Sequence, residues 1–132
     1  PKSNQALRAI GDDRYLSSMS LRVFSAGLKH SMVQGKWPAF EEIFHGFEPR
    51  KVRAMADEDL EALMCETRII RHWAKIKSVR ANAIAICVIA EEAGSMGNWL
   101  AEWKSEQTVV LWDQLSKRFT QLGGNSRFLG LI

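Results

Sequence analysis

The sequence predicts an all-α fold, and three observations carry that prediction. Between His72 and Ala93 the residues Ile76, Val79, Ala83, Ile86 and Ala90 recur at steps of three and four, the repeat that lines one face of an α-helix. No segment alternates apolar and polar residues over strand length, and the few β-branched residues sit inside helical patterns. The punctuation between periodic stretches, Gly35, Pro38, Gly46, Pro49 and Gly94, is of the kind that starts or stops helices.

Taken in chain order, Tyr15 to Met32 reads as the first amphipathic helix, with Leu16, Met19, Val23, Phe24 and Ala26 on its apolar side and an end near Gln34-Gly35. Pro38 suits the first turn of a second helix, where its missing N–H has no partner to lose; Phe40, Ile43, Phe44 and Phe47 form its face and His45-Gly46 its end. Pro49 opens a short helical turn. Asp57 caps a further one through Met64, with Glu58 and Asp59 complementing the dipole. The central helix runs from His72 to Ala93 and stops at Gly94. Ser95 caps a short helix carrying Trp99, Leu100 and Trp103, and Val109, Trp112, Leu115 and Phe119 face the core from the last one. Gly123-Gly124 makes a sharp turn, after which too little chain remains for a full helix.

The chain has 132 residues, 46% hydrophobic and 25% charged, which fits a single domain over residues 1–132 with a sizeable core. The five tryptophans make that core aromatic. The longest apolar run, Ala83 to Ala90, is too short to cross a bilayer, and no basic-then-apolar leader opens the chain, so an intracellular, cytoplasmic protein is expected. Cys65 and Cys87 lack partners at metal-ligand spacing and read as buried thiols, with no metal site and no disulfide framework. A net charge of +3 permits a polyanionic partner without requiring one. More pointed is the run Arg68, Arg71, Lys75, Lys77 and Arg80, five cations with no acid among thirteen residues. Arg71 and Lys75, four apart, are read on one side of a helix head, either as phosphate contacts or as a solvated face.

The stretch Phe44-His45-Gly46-Phe47-Glu48-Pro49, followed by Lys51-Val52, Ala54-Met55, Glu58-Asp59, Ile69-Ile70-Arg71-His72 and Lys75-Ile76, resembles the DNA-3-methyladenine glycosylase I family of helix-hairpin-helix glycosylases. Ala26-Gly27-Leu28 upstream resembles that family's Ala-Gly-Leu segment, and Leu115-Ser116-Lys117 the start of its hairpin. The likeness covers Leu16 to Ala85 well and weakens beyond. It implies a compact helical monomer that flips an alkylated base out of double-stranded DNA and hydrolyses its N-glycosidic bond without a cofactor. It also implies a chain incomplete at both ends relative to the family, lacking the family's zinc-binding cysteines and histidines.

By the same likeness, Arg22 stands where the family has a base-recognising glutamate and His30 where it has a stacking tryptophan, making these two the base-pocket candidates. A carboxylate accepts hydrogen bonds and stabilises a cationic base; a guanidinium only donates and repels one. Gly27 and Leu28 are candidates for the wedge that enters the duplex, although a leucine on an apolar helix face is more often simply core. Arg71, Lys75, Gly123 and Gly124 are the DNA-backbone candidates. Three functions remain open, the first two being an N-glycosylase with a remodelled pocket, and a DNA-binding or damage-sensing module that kept the scaffold without excision. A helical scaffold with no nucleic-acid role is the third.

Overall fold

The computed structural model describes residues 3–104 and 108–121, and every regular element within them is helical. A short α1 (Asn4–Ala9) starts where the Ser3 hydroxyl accepts the Ala6 amide at 3.1 Å. It is followed by α2 (Asp12–Ser25), α3 (His30–Ile43), α4 (Pro49–Arg53), α5 (Asp57–Ala62), α6 (Trp73–Ala93), α7 (Met96–Lys104) and α8 (Thr108–Arg118). Single 3-10 turns occupy His45–Phe47 and Leu63–Cys65.

The central helix is as expected: Ile76, Val79, Ala83 and Ile86 are fully buried and Ala90 partly so. His72 is its N-cap, the imidazole Nδ1 accepting the Lys75 amide at 3.3 Å, and Gly94 (φ +93°) ends it. Pro49 opens α4, and the Ser95 hydroxyl accepts the Asn98 amide at 3.0 Å at the head of α7. Leu115 on α8 and Phe119, one residue beyond its end, are buried; Gly123 and Gly124, and the side chains of Val109 and Trp112, lie outside the described residues.

Four expectations need correction. The helix read as Tyr15 to Met32 is two helices, divided at Ala26–Lys29, and Pro38 lies inside α3 rather than in a first turn. Gly27 at φ +79° takes the chain out of the helix earlier than Gly35 could. Pro38 is tolerated because the carbonyl that loses an N–H partner is that of Gln34, which is exposed and meets water. Asp57 does not cap α5: Ala56 holds that position, its N–H donating to Asp59 at 2.8 Å, while Asp57 takes the Arg80 guanidinium at 2.6 Å. Of the two thiols, only Cys87 is buried; Cys65 is exposed.

The core is aromatic around α3. Trp37 stacks on Phe40 (centroids 4.6 Å) and on Phe47 (5.2 Å, 5° between planes), and Phe24 on α2 closes on Phe40 at 4.7 Å. Phe44 and Phe47 can both join this stack only through a left-handed turn, and His45, Gly46 and Phe47 have φ of 56°, 67° and 57°. That turn is tied down by Arg14, whose guanidinium donates to the Gly46 carbonyl at 3.0 Å and to both Glu41 oxygens at 2.8 and 2.9 Å. Glu41 also accepts the Ser17 hydroxyl at 2.8 Å, and Ser17 accepts the Trp37 indole N–H at 3.0 Å. At the other end of the domain, buried Asn82 accepts the Thr120 amide at 2.8 Å and donates to its carbonyl at 3.1 Å, fixing the chain as it leaves α8.

Burial pushes the Glu41 carboxyl up, but the hydrogen bonds from Arg14 and Ser17 outweigh it and hold the group below its ordinary value of 4.5. A depressed carboxylate stabilises the fold fully above its unfolded-state value and loses that contribution as pH falls through the folded one. The stability gap between wild type and Glu41→Gln is therefore expected to shrink as pH drops from about 6 to about 3 in urea titrations; a gap that stays constant would exclude this linkage.

Two glycines give a second prediction. A Cβ on Gly97 would collide with the Leu7 carbonyl oxygen, so Gly97→Ala must push α7 from α1 and is expected to cost about 1–3 kcal/mol. Gly35, inside α3, has nothing within 4 Å of where a methyl group would stand. Gly35→Ala is expected to stabilise by about 0.5–1 kcal/mol, and chemical denaturation of both variants checks the opposite signs.

Candidate nucleic-acid interface at the turn between α2 and α3

The four residues linking α2 to α3 form a tip rather than a core element. Gly27 has open space around it, and Leu28 is 42% exposed, so the alternative in which Leu28 is core packing is removed. Met32, in the first turn of α3, is exposed as well. Beneath the tip lies a cavity of about 610 Å³, lined by Arg22, Ser25, Gly27, Leu28, Lys29 and His30. Arg22 sits in the last turn of α2 and His30 is the first residue of α3, so the two base-pocket candidates face one space from two helices.

Lys75 reaches this turn from α6. Its ammonium donates to the Ala26 carbonyl at 2.9 Å and to that of Phe24 at 3.5 Å, in the region where α2 leaves carbonyls without helical partners. It is half-buried, and desolvation lowers its pKa from the ordinary lysine value. Arg71 is exposed, one residue ahead of the N-cap, so the i,i+4 helical relation read from the sequence does not apply to the pair. The other three cations of that run are engaged: Arg68 with Glu66 and Glu42, Arg80 with Asp57, and Lys77 over the Trp73 ring at 5.3 Å.

Two further lining residues, Ser25 and Lys29, belong to none of the motifs that mark the site in the sequence. The signal that points to Lys29 is electrostatic, and none points to Ser25. From Tyr15 to Phe40 there is no aspartate or glutamate, while Arg22, Lys29 and Lys36 all fall in that stretch. A larger cavity of about 710 Å³ lies at the opposite end of α2, beside Asp12, Arg14, His45, Arg50 and Cys87. Two of its charges serve the fold, Arg14 holding Glu41 and Asp12 accepting the Met96 amide at 2.9 Å, and burial pushes the Cys87 thiol up. Among the described residues no three of His, Cys, Asp or Glu converge, so nothing there fits the zinc site of the resembling family. No helix among them is long and apolar enough to cross a membrane.

The fold of this all-α chain is that of the 3-methyladenine DNA glycosylases I. A crystal structure of 3-methyladenine DNA glycosylase I superposes with a TM-score of 0.79 at 25% identity, over 89% of this chain and 75% of that one. The chain belongs to the methyladenine glycosylase family, which it matches over residues 6–124. The DNA-3-methyladenine glycosylase of Haemophilus influenzae is 28% identical over 85 residues, 64% of this chain and 46% of the relative. DNA-3-methyladenine glycosylase 1 of Escherichia coli is 43% identical over 60 residues, 46% of this chain and 32% of the relative. The chain thus spans less than half the length of these curated relatives.

Lys75→Met, which keeps the aliphatic stem and removes the ammonium, is expected to destabilise the protein by about 1–2 kcal/mol. Hydrogen exchange should speed up at the Leu28 amide, which donates to the Ser25 carbonyl at 3.0 Å, and remain unchanged on α8. Unchanged exchange at Leu28 would show that Lys75 does not hold the tip.

Proposed function

We propose that this domain acts on duplex DNA as an N-glycosylase, extruding an alkylated or otherwise modified base and hydrolysing its bond to the sugar. The observation that carries the reading, beside family membership, is the exposed Leu28 on the Gly27 turn directly above the cavity lined by Arg22 and His30. An apolar side chain projecting among cations fits a wedge that fills the space a departing base leaves, while the cations meet the phosphates. In this reading Arg71 and Lys29 contact the backbone, Lys75 holds the tip from behind, and Gly123-Gly124 cradles a further phosphate. In the reaction, water forms a bond to C1′ as the bond from C1′ to the base nitrogen breaks. The bonding pair leaves with the base, and the proton that the attacking water gives up balances it. The domain's part is to extrude, enclose and orient the base.

A second reading, DNA binding without excision, is favoured by one observation: the cavity residue contributed by α2 is Arg22, which cannot accept a proton or a hydrogen bond.

Affinity for duplex DNA is expected to fall steeply with salt, and Arg71→Ala to reduce the slope of log K against log salt by about 1. Base release from methylated or deaminated duplexes, followed by chromatography of the freed base, separates the two readings. Leu28→Ala is expected to slow release about tenfold or more while changing duplex affinity little. Binding without release favours the second reading, and absence of affinity at low ionic strength removes both.

A further inference from the structure

The Arg22 guanidinium lies at the cavity without an acceptor. Its Nε is buried and has no hydrogen-bond partner, and the same is true of the Ser25 hydroxyl; both residues line the cavity. No ion pair holds Arg22 among the described residues. A last-turn arginine often serves its own helix by meeting the terminal carbonyls. Here the carbonyls of Phe24 and Ala26 are taken by Lys75, so that role is filled from α6. Lys29 and His30 complete the lining, and no acid contributes to it. The cavity is thus lined by Arg22, Lys29 and His30 in a positive field with no carboxylate, and its size falls in the range of small-molecule sites.

We propose that this cavity selects a base that presents hydrogen-bond acceptors and carries no positive charge, such as a deaminated or oxidised purine with carbonyl edges, over a cationic alkylated purine. The proposal rests on the reading that the cavity receives a base turned out of DNA. Two physical terms support it. A guanidinium only donates, so a base that enters beside Arg22 gains from bringing acceptors and loses by bringing further donors. A cationic base would enter beside Arg22, Lys29 and Lys75 with no carboxylate on the lining to neutralise it. For a neutral base, whose electron pair leaves as negative charge when the bond to C1′ breaks, a guanidinium on the lining would stabilise that charge.

The test uses the full chain and one duplex sequence carrying, at a single position, hypoxanthine, 8-oxoguanine, an abasic site or an undamaged purine, together with dimethyl sulfate-treated DNA as the source of 3-methyladenine. Affinity is read by fluorescence anisotropy and excision by release of free base. The expected result is tighter binding, by about tenfold, or faster release for a carbonyl-bearing lesion, with that preference lost in Arg22→Gln and reversed toward 3-methyladenine in Arg22→Glu. Circular dichroism of each variant establishes folding, and Arg22→Gln keeps the comparison informative should Arg22→Glu fail to fold. Preferential release of 3-methyladenine by the wild type overturns the proposal. So does an Arg22 dependence equal on lesion-bearing, abasic and undamaged duplexes, because a phosphate would then occupy the cavity. Duplex affinity with no preference among bases overturns the proposal and leaves DNA binding standing; absence of affinity for every duplex overturns the underlying reading and the proposal with it.

Discussion

Glu41 on α3 is gripped by both terminal nitrogens of Arg14 on α2 and by the Ser17 hydroxyl one turn further along, and Ser17 in turn receives the indole N–H of Trp37. This chain of charge-assisted hydrogen bonds fixes the rotation of α3 against α2, because each link joins the two helices. Once that rotation is set, Trp37 and Phe40 meet Phe24, and the left-handed turn at His45–Phe47 delivers Phe44 and Phe47 to the same stack. The Arg14 hydrogen bond to the Gly46 carbonyl makes the turn part of the same network. At the far end of the two helices, the four-residue link has little freedom left, and the tip and its cavity are the result.

The fold was legible wherever periodicity ran long. Over the 21 residues of α6 a three-four repeat has no competing explanation, and its stripe is buried as read. The six residues of α1 carry too few apolar positions to show a period, and Leu7 is the only one fully buried. The misplaced boundary between α2 and α3 has a clear cause. Pro38 and Gly35 are the stronger helix breakers by position in the pattern, but the carbonyl that Pro38 leaves without a partner belongs to exposed Gln34, where water replaces the missing hydrogen bond. Gly27 breaks the chain instead, because a positive φ there lets Leu28 turn outward.

The candidate site was legible only in part. Arg22, Gly27, Leu28 and His30 came from the resemblance, and they line one cavity although they are spread over two helices and a turn. Arg71 and Lys75 looked equivalent as cations in one basic run, yet one is in solvent and the other is a half-buried ligand of backbone carbonyls. Charge and spacing do not distinguish them. What does is the location of the α6 N-cap, one residue after Arg71, which leaves Arg71 off the helix and puts Lys75 in its first turn.

The spacing from His72 to Lys75 then has a mechanical meaning. The imidazole that caps α6 does so by accepting the Lys75 backbone amide itself, so the capping residue and the lysine form one device. Fixing the first turn of α6 fixes the direction of the Lys75 stem, and the ammonium lands on the carbonyls that end α2. Those carbonyls would otherwise be the natural partners of Arg22, a last-turn cation of the same helix. By occupying them from a distant element, Lys75 both steadies the chain leading to Leu28 and leaves the Arg22 guanidinium unclaimed at the cavity wall. A cap on the central helix, far along the chain from α2, thus steadies the turn that carries Leu28.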